Sequence, residues 1–214
     1  MSIRVIRGVA VLALCASWAC AKKDKAADSA AAADSAAKAA AAAAPPPAPA
    51  PAPLTDANIV ALLDEANAGD STMGHLASTK GTAASVKGFG RDMMRDHHAL
   101  RKAGQDLAKK LNVTPAPPAN DTLPAAAQRA SDTMNGMAVG VEWDKAYING
   151  EVAVHQSVLA LLQNAQGAAT DTSLKALITK AIPNIEAHLK KAQDVQSKLN
   201  SAPAANSAKG PKKK

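Results

Sequence analysis

The sequence predicts an all-α fold: an antiparallel four-helix bundle with a short extra helix in the crossover between the second and third long helices. Three observations lead there. From Thr55 onward, Ile, Leu, Val and Met recur at steps of three and four residues, the spacing that keeps one face of a helix apolar. Turn-forming segments separate the stretches that carry this pattern: Gly81-Thr82, the Pro-rich run Thr114 to Asn120, and Gly167 to Asp171. Four long helices joined by two short turns and one long connection have the connectivity of a bundle.

The first helix is expected over residues 56–79, with Thr55 or Asp56 able to accept a hydrogen bond from the free N–H groups of its first turn. A second helix follows over 83–112. Residues 123–136 read as a short helix lying across one end of the bundle. A third long helix spans 140–167 and a fourth 172–199, where Pro183 removes one backbone hydrogen bond and is expected to kink the helix. The chain holds one Phe, one Tyr and two Trp, and Trp18 lies ahead of the helices. The core must therefore be built largely from Leu, Ile, Val, Met and Ala.

The N-terminus follows an export pattern. Arg4 and Arg7 precede a short apolar run, Val9 to Ala19, which ends in small residues, so residues 1–19 are expected to be a signal peptide. The run is well short of the roughly 20 apolar residues that span a bilayer as a helix. Cys20 follows Ser17-Trp18-Ala19, which resembles a bacterial lipoprotein processing site, and lipid attachment is expected at Cys20; ordinary cleavage near Ala19 or Ala21 is the alternative. Processing there leaves Cys20 as the only cysteine, so no disulfide supports the fold. Lys22, in place of the Asp that favours inner-membrane retention, points by analogy to an outer-membrane lipoprotein on the periplasmic face of the envelope.

Residues 20–54 then form a tether, first Ala-rich and then Pro-Ala-Pro, a composition that favours extended polyproline II over a packed core. Residues 200–214 read as a disordered basic tail. The net charge of +7 belongs to the ends: residues 55–199, the expected bundle, carry 15 basic and 15 acidic side chains. A neutral body argues against nucleic-acid binding, which needs positive charge clustered on a folded surface. Lys209 and Lys212 to Lys214 form a solvated segment with an affinity for anionic envelope polymers.

The second helix carries Val86, Gly90, Met93, His97, Leu100, Gly104, Leu107 and Leu111 at an unbroken 4-3 spacing, which places His97 in the core stripe. The third places His155 between Ile148, Val152, Leu159 and Leu162, and the fourth places His188 between Ile185 and Ala192. Both tight turns are expected at the same end of the antiparallel bundle, and a rise of about 1.5 Å per residue then puts His97 roughly 23 Å, His155 roughly 22 Å and His188 roughly 28 Å from them. The three histidines then share one layer. Glu65 on the first helix matches the depth of His97, and Glu151 lies one turn from His155; Asp70 is slightly nearer the turn. Asp96 and His98 point about 100° to either side of His97 and are expected at solvent or a neighbouring helix.

Imidazole nitrogens and carboxylate oxygens converging from different helices can ligate zinc, copper or iron, which makes His97, His155, His188, Glu151 and Glu65 candidate metal ligands. The competing reading is structural: buried histidines that hydrogen-bond carboxylates or backbone and fix bundle register. The Glu-x-x-His pairs of a di-iron site are missing, so oxidase or iron-storage chemistry finds little support. Met93 and His97, one turn apart with Met73 near, would suit Cu(I). His75 lies outside the layer, at the surface. There is no nucleophile constellation, reactive cysteine or phosphate loop, and no enzyme activity is expected. Trp143 and Tyr147 are expected to form an aromatic cap closing one end.

Six motifs in order, Gly74-His75-Leu76-Ala77 with Val86-Lys87-Gly88-Phe89, Met93-Met94-Arg95-Asp96-His97, Asp144-Lys145-Ala146-Tyr147, His155-Gln156 and Ile182 to Leu189, resemble the domain of unknown function 4142 family. The resemblance covers about residues 55–199. It implies export and a ferritin-like four-helix fold but no reaction. The family's usual Phe is Trp143 here, and its acidic residue near the middle of the first helix corresponds to Asp70. The sequence therefore suggests an envelope-tethered bundle with a metal-binding histidine layer, against the alternatives of a metal-dependent redox enzyme and of a structural or protein-interaction module. Mass spectrometry of the mature N-terminus is expected to find a lipid-modified Cys20; an unmodified cysteine or cleavage elsewhere rejects the anchor.

Overall fold

The computed structural model describes residues 53–201. The expected signal peptide, Cys20, the tether up to residue 52 and the tail from residue 202 lie outside the described residues. Those described form five helices and no strand: α1 (Asp56–Lys80), α2 (Ala84–Leu111), α3 (Leu123–Gly136), α4 (Val141–Ala168) and α5 (Thr172–Ser201). Each boundary falls within two residues of its sequence expectation, and α5 continues through Pro183.

Local chemistry sets the ends. The Thr55 hydroxyl accepts from the Asn58 N–H at 3.2 Å, while the Asn58 side-chain oxygen accepts from the Thr55 N–H at 3.0 Å, a reciprocal cap on α1. Asn58 Nδ2 also donates to the Ala116 carbonyl at 2.8 Å, which pins the chain leaving α2 to the start of α1. At the end of α2, Asn112 adopts the left-handed conformation with φ 53°, which asparagine tolerates better than most residues.

The helices pair as two hairpins, α1 with α2 and α4 with α5. Opposite direction within each is fixed by contacts far from the turn: Ala57 meets Ala116 across the first, and Asn149 meets Gln196 across the second. Each turn is held by an aspartate from the other hairpin. Asp144, near the start of α4, accepts from the Thr82 N–H (2.9 Å), the Thr82 hydroxyl (2.6 Å) and the Ala83 N–H (2.7 Å). Asp56, at the start of α1, accepts from the Thr170 N–H (2.8 Å), the Thr170 hydroxyl (2.6 Å) and the Asp171 N–H (3.1 Å).

These clasps correct one sequence expectation, because the start of α4 sits at the α1–α2 turn and the start of α1 at the α4–α5 turn. The two tight turns therefore lie at opposite ends. The reason is the path of the crossover. Rather than lying across one end, α3 runs beside α1: Ala127 is adjacent to Gly69, and Lys80 Nζ donates to the Asn135 carbonyl at 3.0 Å. The chain thus returns along the bundle before α4 begins, and α2 and α4 run in the same direction.

Two apolar clusters fill the interior. One gathers Ile59, Val158, Leu162, Leu174, Ile178 and Ile185 toward the α4–α5 turn, the other Val86, Phe89, Met93, Trp143, Tyr147 and Ile148 toward the α1–α2 turn. Trp143 closes the latter end, wholly buried, with its Nε1–H donating to the Met134 carbonyl at 2.8 Å and its ring stacked on Tyr147 at 5.7 Å. Between the clusters lies a waist of buried polar groups.

Close approach of α1 and α2 requires glycine twice. A Cβ on Gly74 would lie 2.7 Å from the Gly90 carbonyl oxygen, and one on Gly90 would lie 2.6 Å from that of Gly74. Gly104, farther along α2, has nothing within 4 Å of its Cβ position. Gly90→Ala is expected to destabilise the protein by about 1–3 kcal/mol through overpacking, and Gly104→Ala to stabilise it by about 0.5–1 kcal/mol through helix propensity. Denaturant melts of the two variants check both signs.

Candidate metal centre

Three histidines reach the waist because each continues the buried stripe of its helix: His97 after Val86, Gly90 and Met93 on α2, His155 after Ile148 and Glu151 on α4, and His188 after Ile178, Ala181 and Ile185 on α5. They are 1%, 0% and 7% exposed. Their ring centroids form a triangle with sides of 5.1, 5.6 and 5.6 Å. Each offers one nitrogen to a group whose ligand atoms all lie within 4.8 Å of one another.

The two nitrogens of each ring have different surroundings. His97 Nδ1 is 2.9 Å from Asn67 Oδ1, His155 Nδ1 is 2.9 Å from the Glu151 carbonyl, and His188 Nε2 is 3.1 Å from Asp96 Oδ2. Because those oxygens only accept, each of these nitrogens carries the proton and donates. The other nitrogen, Nε2 of His97, Nε2 of His155 and Nδ1 of His188, is buried and has no hydrogen-bond partner. A ring fixed by one N–H and presenting a lone pair from the other nitrogen is the arrangement found in metal-ligating histidines.

Two carboxylates border the layer on the side of the α1–α2 turn. Asp70 on α1 and Glu151 on α4 are 4% and 3% exposed, and each keeps one oxygen unpaired. Asp70 Oδ2 lies 3.5 Å from His97 Nδ1, and Glu151 Oε2 lies 3.5 Å from His155 Nδ1, too long for good hydrogen bonds. With His155 these two acids form a second group whose ligand atoms lie within 4.8 Å of one another.

Burial sets the charge state of the waist. Desolvation lowers His97 to about 3 and His155 to about 4; neighbouring imidazoles add to this, while for His155 the bond to the Glu151 carbonyl opposes it. His188 is also lowered by burial, against the pull of Asp96. Desolvation raises Asp70 to about 7 and raises Glu151 well above the usual carboxylate range, the latter also through repulsion from Asp70. Tyr147 is raised by burial and by the adjacent Glu151. At neutral pH the imidazoles are therefore neutral.

Of the five candidate ligands read from the sequence, His97, His155, His188 and Glu151 are brought to the waist. Glu65 is not. It lies five positions before Asp70, which turns it about 140° around the helix. There it meets Asp121 of the crossover; burial and that neighbouring carboxyl raise it to about 7. Depth alone suggested Glu65, but the inward stripe of α1 runs through Asp70, Gly74 and Ala77. Asp96, expected at solvent or a neighbouring helix, bonds His188 across the α2–α5 seam. No sequence motif marks Asn67, although its position three before Asp70 places it on the same side of α1. His75 and His98 are exposed as expected, while Met93 and Met73 belong to the apolar cluster near the α1–α2 turn.

Comparison with curated proteins returns no match. Among solved structures the chain is similar to one described as CopM in the Cu(II)-bound form, with a TM-score of 0.53 and 15% sequence identity over 68% of this chain and 98% of that one. That likeness establishes a shared helical-bundle fold. A family model described as a domain of unknown function (DUF4142) matches residues 36–195, about three quarters of the sequence, and the chain belongs to that family.

Proposed function

We propose that this protein is a non-catalytic, envelope-tethered metal-binding bundle that holds one transition-metal ion through His97, His155 and His188. The observation that carries this reading is a trio of buried histidines that each keep one ring nitrogen unpaired and each offer a ligand atom within 4.8 Å of the others. A merely structural histidine layer would be expected to satisfy its nitrogens with each other or with the backbone. Three neutral imidazoles suit zinc, copper or iron(II) and leave a coordination position open. An ion there supplies Lewis acidity and, for copper or iron, redox capacity.

The chain's own residues do the rest. Asn67, the Glu151 carbonyl and Asp96 fix the ring orientations, and the two apolar clusters keep bulk water away. A divalent ion brings two positive charges into a layer of neutral ligands. Asp70 and Glu151 are the nearest groups able to balance them by ionising. In this reading Cys20 anchors the protein to the membrane, the tether spaces the bundle from it, and the Lys-rich tail meets anionic envelope polymers. The docking-module alternative has a narrower basis, since the large exposed hydrophobics among the described residues are Val139, Val141 and Val154.

Full-length protein purified without chelator or affinity tag is expected to contain about one metal ion per chain, and His155→Ala or His188→Ala to lose it. Titration with Cu2+ or Zn2+ to a hundredfold excess over Kd is expected to stabilise wild type by about 2.7 kcal/mol. A metal-free wild type whose Tm does not move on titration refutes the reading.

The metal-free protein has its own pH signature. Asp70 is raised from an ordinary 3.8 to about 7, so its contribution to stability is full below pH 3.8 and erodes as pH rises toward 7. His97 and His155 act oppositely: lowered from 6.5, they contribute fully above pH 6.5, and that stability is lost as pH falls toward 4 and 3. In chelator, Asp70→Asn is expected to gain stability relative to wild type between pH 4 and 7, with a constant difference above. Urea melts at several pH values measure this; a difference independent of pH rejects the raised carboxyl.

A further inference from the structure

The ligand nitrogens are buried, so an ion needs a way in, and the bundle offers unequal choices. The seam between α1 and α4 is covered by α3, with Ala127 against Gly69 and Met134 against Trp143. The opposite seam, between α2 and α5, has no covering helix among the described residues. It carries a surface recess lined by Asp92, Asp96, Ala99, Asn184, Ala187 and His188.

His188 is the only member of the trio that reaches this recess, with a side chain 9% exposed against 1% for His97 and 0% for His155. Its Nε2–H points outward to Asp96, which is one-third exposed, while its Nδ1 is turned inward without a partner. The rim is charged on both sides: Asp92 and Asp96 face Arg95, and Lys191 binds Asp92. A second cavity touches His97 and carries Asp64, Asn67, Asp70 and Arg101 among Val60, Leu63 and Leu100, but its volume is about 30 Å³ against about 430 Å³ for the recess, and Asp64 is paired with Arg101 at 2.9 Å. That is room for about one water molecule, too little for a hydrated divalent ion.

Resting on the proposed metal site, we infer that cations reach it through the α2–α5 recess, where Asp96 is their first ligand and His188 passes them inward. Asp96 is one-third exposed; its two oxygens accept from the exposed Arg95 at 2.8 and 2.9 Å, and Oδ2 also accepts from the interior ligand His188. An arriving cation displaces the exposed Arg95 guanidinium from Asp96 and takes the oxygen that His188 occupies; the freed imidazole turns and carries the ion to the nitrogens of His97 and His155. Once the ion is seated, Asp96 again accepts the His188 N–H. Asp96 therefore governs the rate of loading, and His97 and His155 the strength of holding.

Stopped-flow mixing of metal-stripped full-length protein with Cu2+ alone, followed by tryptophan fluorescence, tests this. Asp96→Asn keeps an oxygen for the His188 N–H and removes the charge; it is expected to slow association about tenfold with unchanged stoichiometry. The double variant Ala99→Phe/Ala187→Phe fills the recess at exposed positions. It should slow association and dissociation by the same factor, leaving Kd unaltered. Ala126→Phe, on α3 over the opposite seam, should change neither rate. Wild-type rates in both the Asn and the double Phe variants, or slowing by Ala126→Phe instead, overturn the route. Absence of bound Cu2+ at equilibrium overturns the metal-binding reading itself, whereas bound Cu2+ that His97→Ala abolishes, with rates insensitive to the recess, overturns the route alone.

Discussion

Two aspartates, each closing the turn of the opposite hairpin, set the relative position of everything else. Asp144 gathers three donors from the α1–α2 turn and Asp56 three from the α4–α5 turn. Charge-assisted bonds of this kind are roughly twice as strong as neutral ones and are directional. Because one clasp sits at each end, sliding one hairpin along the other by a helical turn would break both. With register fixed at the ends, the middles of α2, α4 and α5 must coincide, and the middles carry the histidines.

That waist is costly to the empty protein. Three imidazole nitrogens and an oxygen on each of two carboxylic acids lie buried without partners, and each unsatisfied polar group costs on the order of 1–3 kcal/mol. Apolar residues of similar volume would fill the same space without that cost. The two apolar clusters, the glycine-mediated contact of α1 and α2, and the polar caps at both ends offset it. Stability concentrated on either side of a polar layer is the pattern of a fold arranged around a site, in which the local rules that hold elsewhere are broken at one level only.

Much of this is legible in the amino-acid sequence. Helix boundaries follow from period and turn chemistry, which are local. The shared depth of His97, His155 and His188 is also readable and does not depend on which end holds the turns, because a residue near mid-helix keeps its level when the helix is reversed end for end. Glu65 and Asp70 were harder to separate, because depth ignores rotation; extending the 4-3 stripe to α1 selects Asp70. The clasps were out of reach, since Asp56 and Thr170 are 114 positions apart and neither lies in a motif that names the other. The bond from His188 to Asp96 depends on how closely α2 and α5 approach, which no single-helix pattern encodes.

The division of the interior into two apolar clusters also bears on how the molecule breathes. Each half has its own tight turn and its own clasp, and the buried groups between them are Asp70, Glu151 and the three histidines. Opening at that level exposes polar groups rather than apolar surface, so it costs the empty protein less than opening at either cluster. An ion bound by α2, α4 and α5 together would remove that difference by tying the three helices at their middles.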